Sequence, residues 1–384
     1  MNIVYCTDSV CHAGGIQRVT IAKANALADM EGNKVWIVVT DNQHPDPVMP
    51  LSEKVSLVDL GVRYYEDDWK SKWNVLRGIF VKRKTHKREL LDFLNRIGPD
   101  IVISTGTSEK YFLPRLRVSS SPAFVREIHF SKDYRMRAAR GWFDKTLARL
   151  GDIADYSFNI WRYDRIVLLT EEDRQSHWKP DDRLAVIPNP VTFHPSAHSS
   201  LQNKKVIAVG RLVHQKNFAS LVRAFSLVKK RFPEWTLDIF GDGNEWEYLS
   251  SLINTLGLSE TVRLMGKSSM IQDVMPGYSL FAMSSRFEGF PLVLVEAQSC
   301  GLPVVSYACP CGPKDIIRDG VDGFLVPPGD EAALAERICQ LIEDDNLRRK
   351  MGAAALERTK DFSLERIIPR WTSLFEELME NKKK

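Results

Sequence analysis

The sequence shows no membrane-spanning run, no visible signal-peptide pattern and no disulfide scaffold. No apolar stretch approaches the roughly 18 residues that a spanning helix needs. MNIVYCTDSV enters a strand pattern directly, without the basic and apolar regions of a secretory signal. Six cysteines in 384 residues are too few for a disulfide framework and suit reduced thiols in a cytoplasmic protein. Cys309-Pro-Cys311 has one intervening residue, unlike a zinc or redox knuckle. No D-x-D triplet and no His/Asp metal spacing appears, so no metal site is expected. A net charge of +4 argues against a dedicated nucleic-acid binder but leaves room for a local basic patch.

The chain does have an alternation of short apolar strands and amphipathic helices. Strands are expected at 2–6, 34–39, 55–60, 100–104, 123–128 and 165–170, with Gly14-Gly15 between the first strand and a helix over 16–30. PNPVTFHPSAHSSLQNKK (188–205) breaks the rhythm and reads as a linker. A second series follows, with strands near 205–210, 236–241, 262–266, 279–285 and 303–307. Helices alternate with them, and the chain beyond 330 is helical. This is an α/β pattern of mostly parallel sheets, and two units of this size suggest facing domains with a ligand cleft between them. The boundaries expected are 1–188, 189–368, and a final helix, 369–384, packing back on the first domain. Pro369 is expected to start or kink a segment.

RFEGFPLVLVEAQSCGLPVV (286–305) places Glu288 and Glu296 in an apolar, Gly- and Pro-punctuated run. A buried carboxylate is costly unless paired or hydrogen-bonded. Pro291 suits a first helical turn and Gly301 a stop. Gly289 and Phe290 would then stand at a helix mouth whose N–H groups attract phosphate. Glu296 would lie roughly 9 Å along the axis, and either carboxylate offers two acceptors to sugar hydroxyls. The plainer alternative for Glu296 is a partner for a lysine or a buried backbone group. Arg211 follows KVIAVG at a strand end, and Lys216 lies nearby. Two such cations opposite a helix N-terminus would neutralise a diphosphate, although loop cations are ordinarily just solvated.

E-G-F-P-L-V-L-V-E followed by A-x-x-x-G-x-P-V-V resembles the signature of the retaining GT-B glycosyltransferases of family 4. V-G-R-L-x-x-x-K (209–216), F-G-D-G (240–243), L-M-G (264–266), G-F-L-V-P-P-G-D (323–330) and G-G-I-Q-R-V (14–19) extend the likeness across most of the chain. The resemblance implies a GT-B fold, two Rossmann-like domains facing across a cleft, with the acceptor bound by the first and a nucleotide-sugar donor by the second. Arg211 and Lys216 would grip the donor diphosphate, Glu296 the ribose and Glu288 the transferred sugar. Gly14 and Gly15 would approach the donor phosphates or the acceptor. Arg18 would help with an anionic acceptor or be plain helix surface. His129 would lie beside the reacting sugar or be structural.

The nucleotide sugar, UDP-linked by expectation, is a substrate; no cofactor and no metal is implied. The tail G-P-K-D-I-I is similar to that of transferases in bacterial surface-glycan assembly and wall teichoic acid glucosylation. A glycan or an isoprenoid-diphosphate-linked acceptor is therefore expected. The alternatives are a sugar-nucleotide epimerase of the same fold and a non-enzymatic nucleotide-binding module. Residues 69–88 carry eight Lys or Arg among Trp69, Trp73, Leu76, Ile79, Phe80 and Val81. They read either as a helix that seeks an anionic membrane at the cytoplasmic face or as one packed on its own domain.

Overall fold

The computed structural model describes residues 1–11, 14–41, 46–64, 72–139 and 141–383, and side chains in all of these except 72–80 and 383. Two wholly parallel sheets organise the chain. The first holds β1 (Asn2–Thr7), β2 (Lys34–Val39), β3 (Val55–Asp59), β4 (Ile101–Ser104), β5 (Ala123–Glu127), β6 (Arg165–Leu168) and β7 (Leu184–Val186), in the order 3-2-1-4-5-6-7. The second holds β8 (Lys205–Val209), β9 (Thr236–Phe240), β10 (Val262–Gly266), β11 (Leu280–Met283), β12 (Val304–Tyr307) and β13 (Gly323–Val326), in the order 10-9-8-11-12-13. Both sheets therefore wind outward in two directions from their first strand. A crevice opens at the carboxyl ends of the central strands where the winding reverses, β1/β4 in one sheet and β8/β11 in the other. Two doubly wound parallel sheets are the GT-B arrangement that the resemblance implied.

Strands buried on both faces read as near-continuous apolar runs, which is why eleven of the thirteen could be placed from the sequence. β7 escaped because it is three residues long beside Asp181, Asp182 and Arg183. β13 was noticed only as part of a motif. The helices that matter for the site are α1 (Gly15–Ala28), α2 (Lys72–Ile97), α3 (Tyr134–Ala138), α4 (Trp142–Asp152), α5 (Glu171–His177) and α6 (Phe218–Arg231), with Leu292–Ser299 and Leu364–Lys383 further on.

Residues 188–204 have no regular structure, yet Val191, Phe193 and Leu201 are buried in the core around β8–β13. Their apolar side chains fasten this segment to the second sheet. The last helix begins at Leu364, and Pro369 lies inside it rather than at its start. Its Ile367, Ile368, Trp371, Leu374, Phe375 and Leu378 bury with Ile3, Tyr5 and Leu27 of the first sheet's core. Across the seam, Glu171 N–H and Glu172 N–H at the start of α5 donate to Asp315, so a carboxylate from the second half caps a helix of the first.

Residues 69–71 of the expected basic helix, and the side chains of 72–80, lie outside the described residues; the remainder belongs to α2. In its described part, Lys82 Nζ donates to Arg63 O at 2.5 Å and the Arg83 guanidinium stands 5.2 Å from the Tyr111 ring centre. These two cations are engaged within their own domain.

Candidate active site

The helix Leu292–Ser299 starts at the residue after Pro291, which is its non-helical N-cap rather than a first-turn residue. It ends on Cys300, followed by Gly301 at φ +76°, where the left-handed conformation favours glycine. Nearly every residue of this helix is buried, Glu296 included. Gly15 is the first residue of α1, and a Cβ there would come within 3.0 Å of Leu292 Cδ1. The glycine loop after β1 thus meets the mouth of this helix across the seam, with Gly14 as the N-cap of α1.

Arg18, one turn further along α1, donates from Nη2 to Glu296 Oε1 at 2.5 Å. Glu296 therefore has an interdomain partner, and Arg18 is more than helix surface. Its spacing of four from Gly14 was the available signal, but its partner lies 278 residues away. Glu288 is buried and accepts from Lys216 Nζ at 2.7 Å. Its backbone N–H donates to Pro310 O and its carbonyl accepts from Cys311 N–H, which fixes the EGFP segment against the CPCGP loop. Gln215, which sequence reasoning passed over, donates to Phe287 O at 2.9 Å and lies 3.4 Å from Glu288 Oε2.

Lys216 Nζ retains two further N–H donors beside this pair. Its aliphatic stem lies against Gly210, where a Cβ would sit 3.3 Å from Lys216 Cε. Gly241, in the F-G-D-G turn, has φ +146°, and a Cβ there would meet Gly210 O at 1.8 Å. Only glycine lets that turn close over the end of β8. Arg211 follows Gly210, is exposed, and has no carboxylate partner among the described residues. The cation is thus left available for an anion from solution.

At Gly289 the backbones of the two halves come close together. A Cβ there would stand 2.4 Å from His129 O, so the backbone of the signature segment rests on the residue after β5 and Ile128. Phe290 is buried and packs edge-on against Phe362. Both nitrogens of the buried His129 ring lack a hydrogen-bond partner, and Nε2 is 3.6 Å from Glu127 Oε1. Burial pulls the His129 pKa down to about 4 against the attraction of Glu127. At neutral pH the ring is uncharged, and one nitrogen can donate while the other accepts.

Beside His129 the first half holds a cavity of about 140 Å3 whose lining includes Asp8, Lys110, Arg126, Arg135 and Tyr156. Arg126 Nη1 is held by Ser104 Oγ and Gly106 O at 2.5 and 2.6 Å. Lys110 pairs with Asp155 at 2.6 Å, and Arg135 joins the same carboxylate. Glu109 lies behind this wall, where burial and the nearby Asp8 push its pKa up to about 7 despite Arg126. None of these residues carries a recognisable local spacing. The only hint was that they lie on β5 or in the segments that follow β1, β4 and β5.

His177 also acquires partners that its local sequence did not suggest. Its Nδ1 lies 2.9 Å from Asp173, which also accepts from Trp178 Nε1–H and Lys132 N–H. Cys311 Sγ approaches the same carboxylate at 3.8 Å from the other half. Asp173, His177 and Cys311 come close enough to form a candidate metal cluster, but hydrogen bonds account for the contacts of Asp173.

Comparison with known proteins places part of this chain in a family and identifies its fold. Residues 192–358 match the model of the glycosyl transferases group 1 family. The chain is 41% identical over 223 residues to an exopolysaccharide phosphotransferase of Streptomyces coelicolor, covering 56% of this chain but only 24% of that one. It is 28% identical to the amylovoran biosynthesis glycosyltransferase AmsD of Erwinia amylovora, over 67% of this chain and 76% of the other. A Campylobacter jejuni N-acetylgalactosaminyltransferase, named for a PP-undecaprenol-linked acceptor, is 28% identical over 57% of this chain and 64% of its own. Among solved structures, Anabaena HepE in complex with UDP-glucose superposes with a TM-score of 0.72 at 18% identity, covering 98% and 100% of the two chains. The chain is a glycosyltransferase, and its second half carries the group 1 family domain.

Proposed function

We propose that this glycosyltransferase moves a hexose or N-acetylhexosamine from a UDP-sugar to a glycan or lipid-linked oligosaccharide at the cytoplasmic membrane face, retaining the donor's anomeric configuration. The observation that carries the reading is the convergence on one seam of Glu288 with Lys216, Glu296 with Arg18, and a neutral His129. The UDP assignment draws on the UDP-glucose complex of HepE, and the lipid-linked acceptor on the Campylobacter relative.

In this reading the donor's bond from the anomeric carbon to the diphosphate oxygen breaks while an acceptor oxygen bonds to the same face of that carbon. The acceptor's proton passes to the departing diphosphate. Arg211 and Lys216 meet the charge that grows there, together with N–H groups at the mouth of Leu292–Ser299. Glu296 exchanges Arg18 for ribose hydroxyls, Glu288 holds hydroxyls of the transferred sugar, and His129 hydrogen-bonds the same sugar. No step requires a covalent carboxylate nucleophile or a divalent cation.

A panel of UDP-sugars, scored for UDP release with and without acceptor, tests the proposal. One donor should release UDP, Glu288→Gln should lower that rate at least roughly tenfold, and proton NMR should show the product with the donor's anomeric configuration. An inverted product overturns the retaining mechanism. Conversion of the UDP-sugar to its epimer without UDP release overturns transfer.

A further inference from the structure

Helix α4 is amphipathic in the wrong sense for a helix of a globular domain. At about 100° per residue, Trp142, Phe143, Leu147, Leu150 and Ile153, just past its end, fall within an arc of roughly 140°. A surface helix ordinarily turns such an arc toward the core. Here the arc faces outward, with Trp142 80% exposed and Phe143, Leu147 and Leu150 more than half exposed. The inward side is made of small and polar residues. Ala148 is buried, a Cβ on Gly151 would stand 3.2 Å from Arg135 Nη1, and Asp152 accepts from Arg135 at 3.2 Å. Phe158, in the turn that follows, is 68% exposed. Five large apolar side chains on one face, with Phe158 nearby, form a contiguous patch of the kind that marks an interaction surface.

Two further observations identify what covers it. Lys145 and Arg149 are exposed along one edge of the arc, and the segment from Lys132 to Asp152 has six basic residues against three acidic ones. Aromatic and aliphatic residues on one side, bordered by cations, suit a helix lying in the plane of an anionic bilayer. The chain leaving α4 then turns inward, and its Asp155, Tyr156 and Asn159 line the cavity beside His129. The apolar face and the acceptor cavity are thus consecutive parts of one segment.

We infer that α4 and the turn after it are a monotopic docking surface that seats the enzyme on an anionic membrane and brings the headgroup of a lipid-linked acceptor to the cavity at His129. The inference rests on the lipid-linked acceptor proposed above and assigns membrane contact to α4 rather than to residues 69–88.

Co-sedimentation of the whole chain with vesicles of phosphatidylcholine alone, or containing phosphatidylglycerol, tests it. The wild type should bind the anionic vesicles. Combined Trp142→Ser, Phe143→Ser and Leu147→Ser should weaken binding at least roughly tenfold. Lys145→Gln with Arg149→Gln should weaken it less, and in a salt-dependent way. UDP release to water should be unchanged in both variants, since neither touches the seam; this separates failure of the docking idea from failure of the transferase reading. Wild type that ignores both vesicle types, or a triple serine variant that binds as well as wild type, overturns the inference. So does a wild-type dimer in sedimentation velocity that the serine variant converts to monomer without vesicle binding, which would assign the face to a second copy.

Discussion

Each half of the molecule holds a lysine–glutamate pair at the carboxyl end of its sheet, and the two pairs have been given opposite environments. Lys23 and Glu127 form an ion pair with both side chains 1% exposed. Tyr5 and Trp371 enclose the ammonium, which stands 4.5 Å from the Trp371 ring centre. Burial pulls Lys23 down from its ordinary range, while Lys23 and its neighbours hold Glu127 below the usual carboxylate range against the opposing effect of burial. Lys216 and Glu288 are less completely enclosed, at 16% and 7% exposed. A sealed pair has no access to ligand and acts through stability; an open pair can exchange its partner for one. The same two residue types thus serve architecture in one half and, in the proposed reading, donor binding in the other.

The largest effect that would break this comparison is on the sealed pair. Lys23→Met leaves Glu127 charged and buried, which should cost about 3–5 kcal/mol of unfolding free energy in urea titration. Adding Glu127→Leu should recover much of that loss. If Lys23→Met unfolds at the wild-type urea concentration, the pair carries no architectural role.

His129 lies between the two environments and sharpens the contrast through pH. Its folded pKa of about 4 lies below the unfolded value, so the folded state binds the proton less readily. Its contribution is complete above the unfolded pKa of about 6.5. It is lost as pH falls from there through the folded pKa, a change of about 3 kcal/mol. Glu109, raised to about 7, acts with the opposite sign and weakens the fold as pH rises from the ordinary carboxylate range through 7. Replacing His129 with Asn should flatten the acid limb of a stability–pH curve; an unchanged acid limb would show that this ring is not the group responsible.

Open-side substitutions should spare stability and reduce binding. Arg211→Ala should weaken UDP affinity by about 1.5–3 kcal/mol, or roughly 10- to 150-fold, in calorimetry, with the melting temperature unchanged. Full affinity in the folded variant would remove Arg211 from the donor site. The smallest expected effect is that of EDTA, which should leave the transfer rate as it was. Abolition by EDTA and restoration by Mg²⁺ would mean that the two cations do not suffice for the diphosphate.

The unequal legibility of the halves has a physical origin. In the second half, Arg211, Lys216, Gly289, Phe290, Glu288 and Glu296 lie within short segments whose spacing is set by one strand end and one helix. In the first half, Asp8, Lys110, Arg126 and Arg135 come from separate loops, a strand and a helix, and only the sheet order brings them around one cavity. The exposed face of α4 falls between these cases. Its apolar periodicity was present in the sequence, but periodicity marks a face without saying which way it points.

By itself, the sequence determined the two α/β units, most of their strands and the grouping of Arg211, Lys216, Glu288 and Glu296 on short segments, because apolar runs, glycines and charges act there over a few residues. Tertiary structure alone decided that Arg18 pairs with Glu296, that Gly289 rests on His129, that Lys23 is sealed beneath Trp371 and that α4 turns its apolar face outward. Each depends on groups far apart in the chain, and their burial and charge balance exist only once the two sheets have packed.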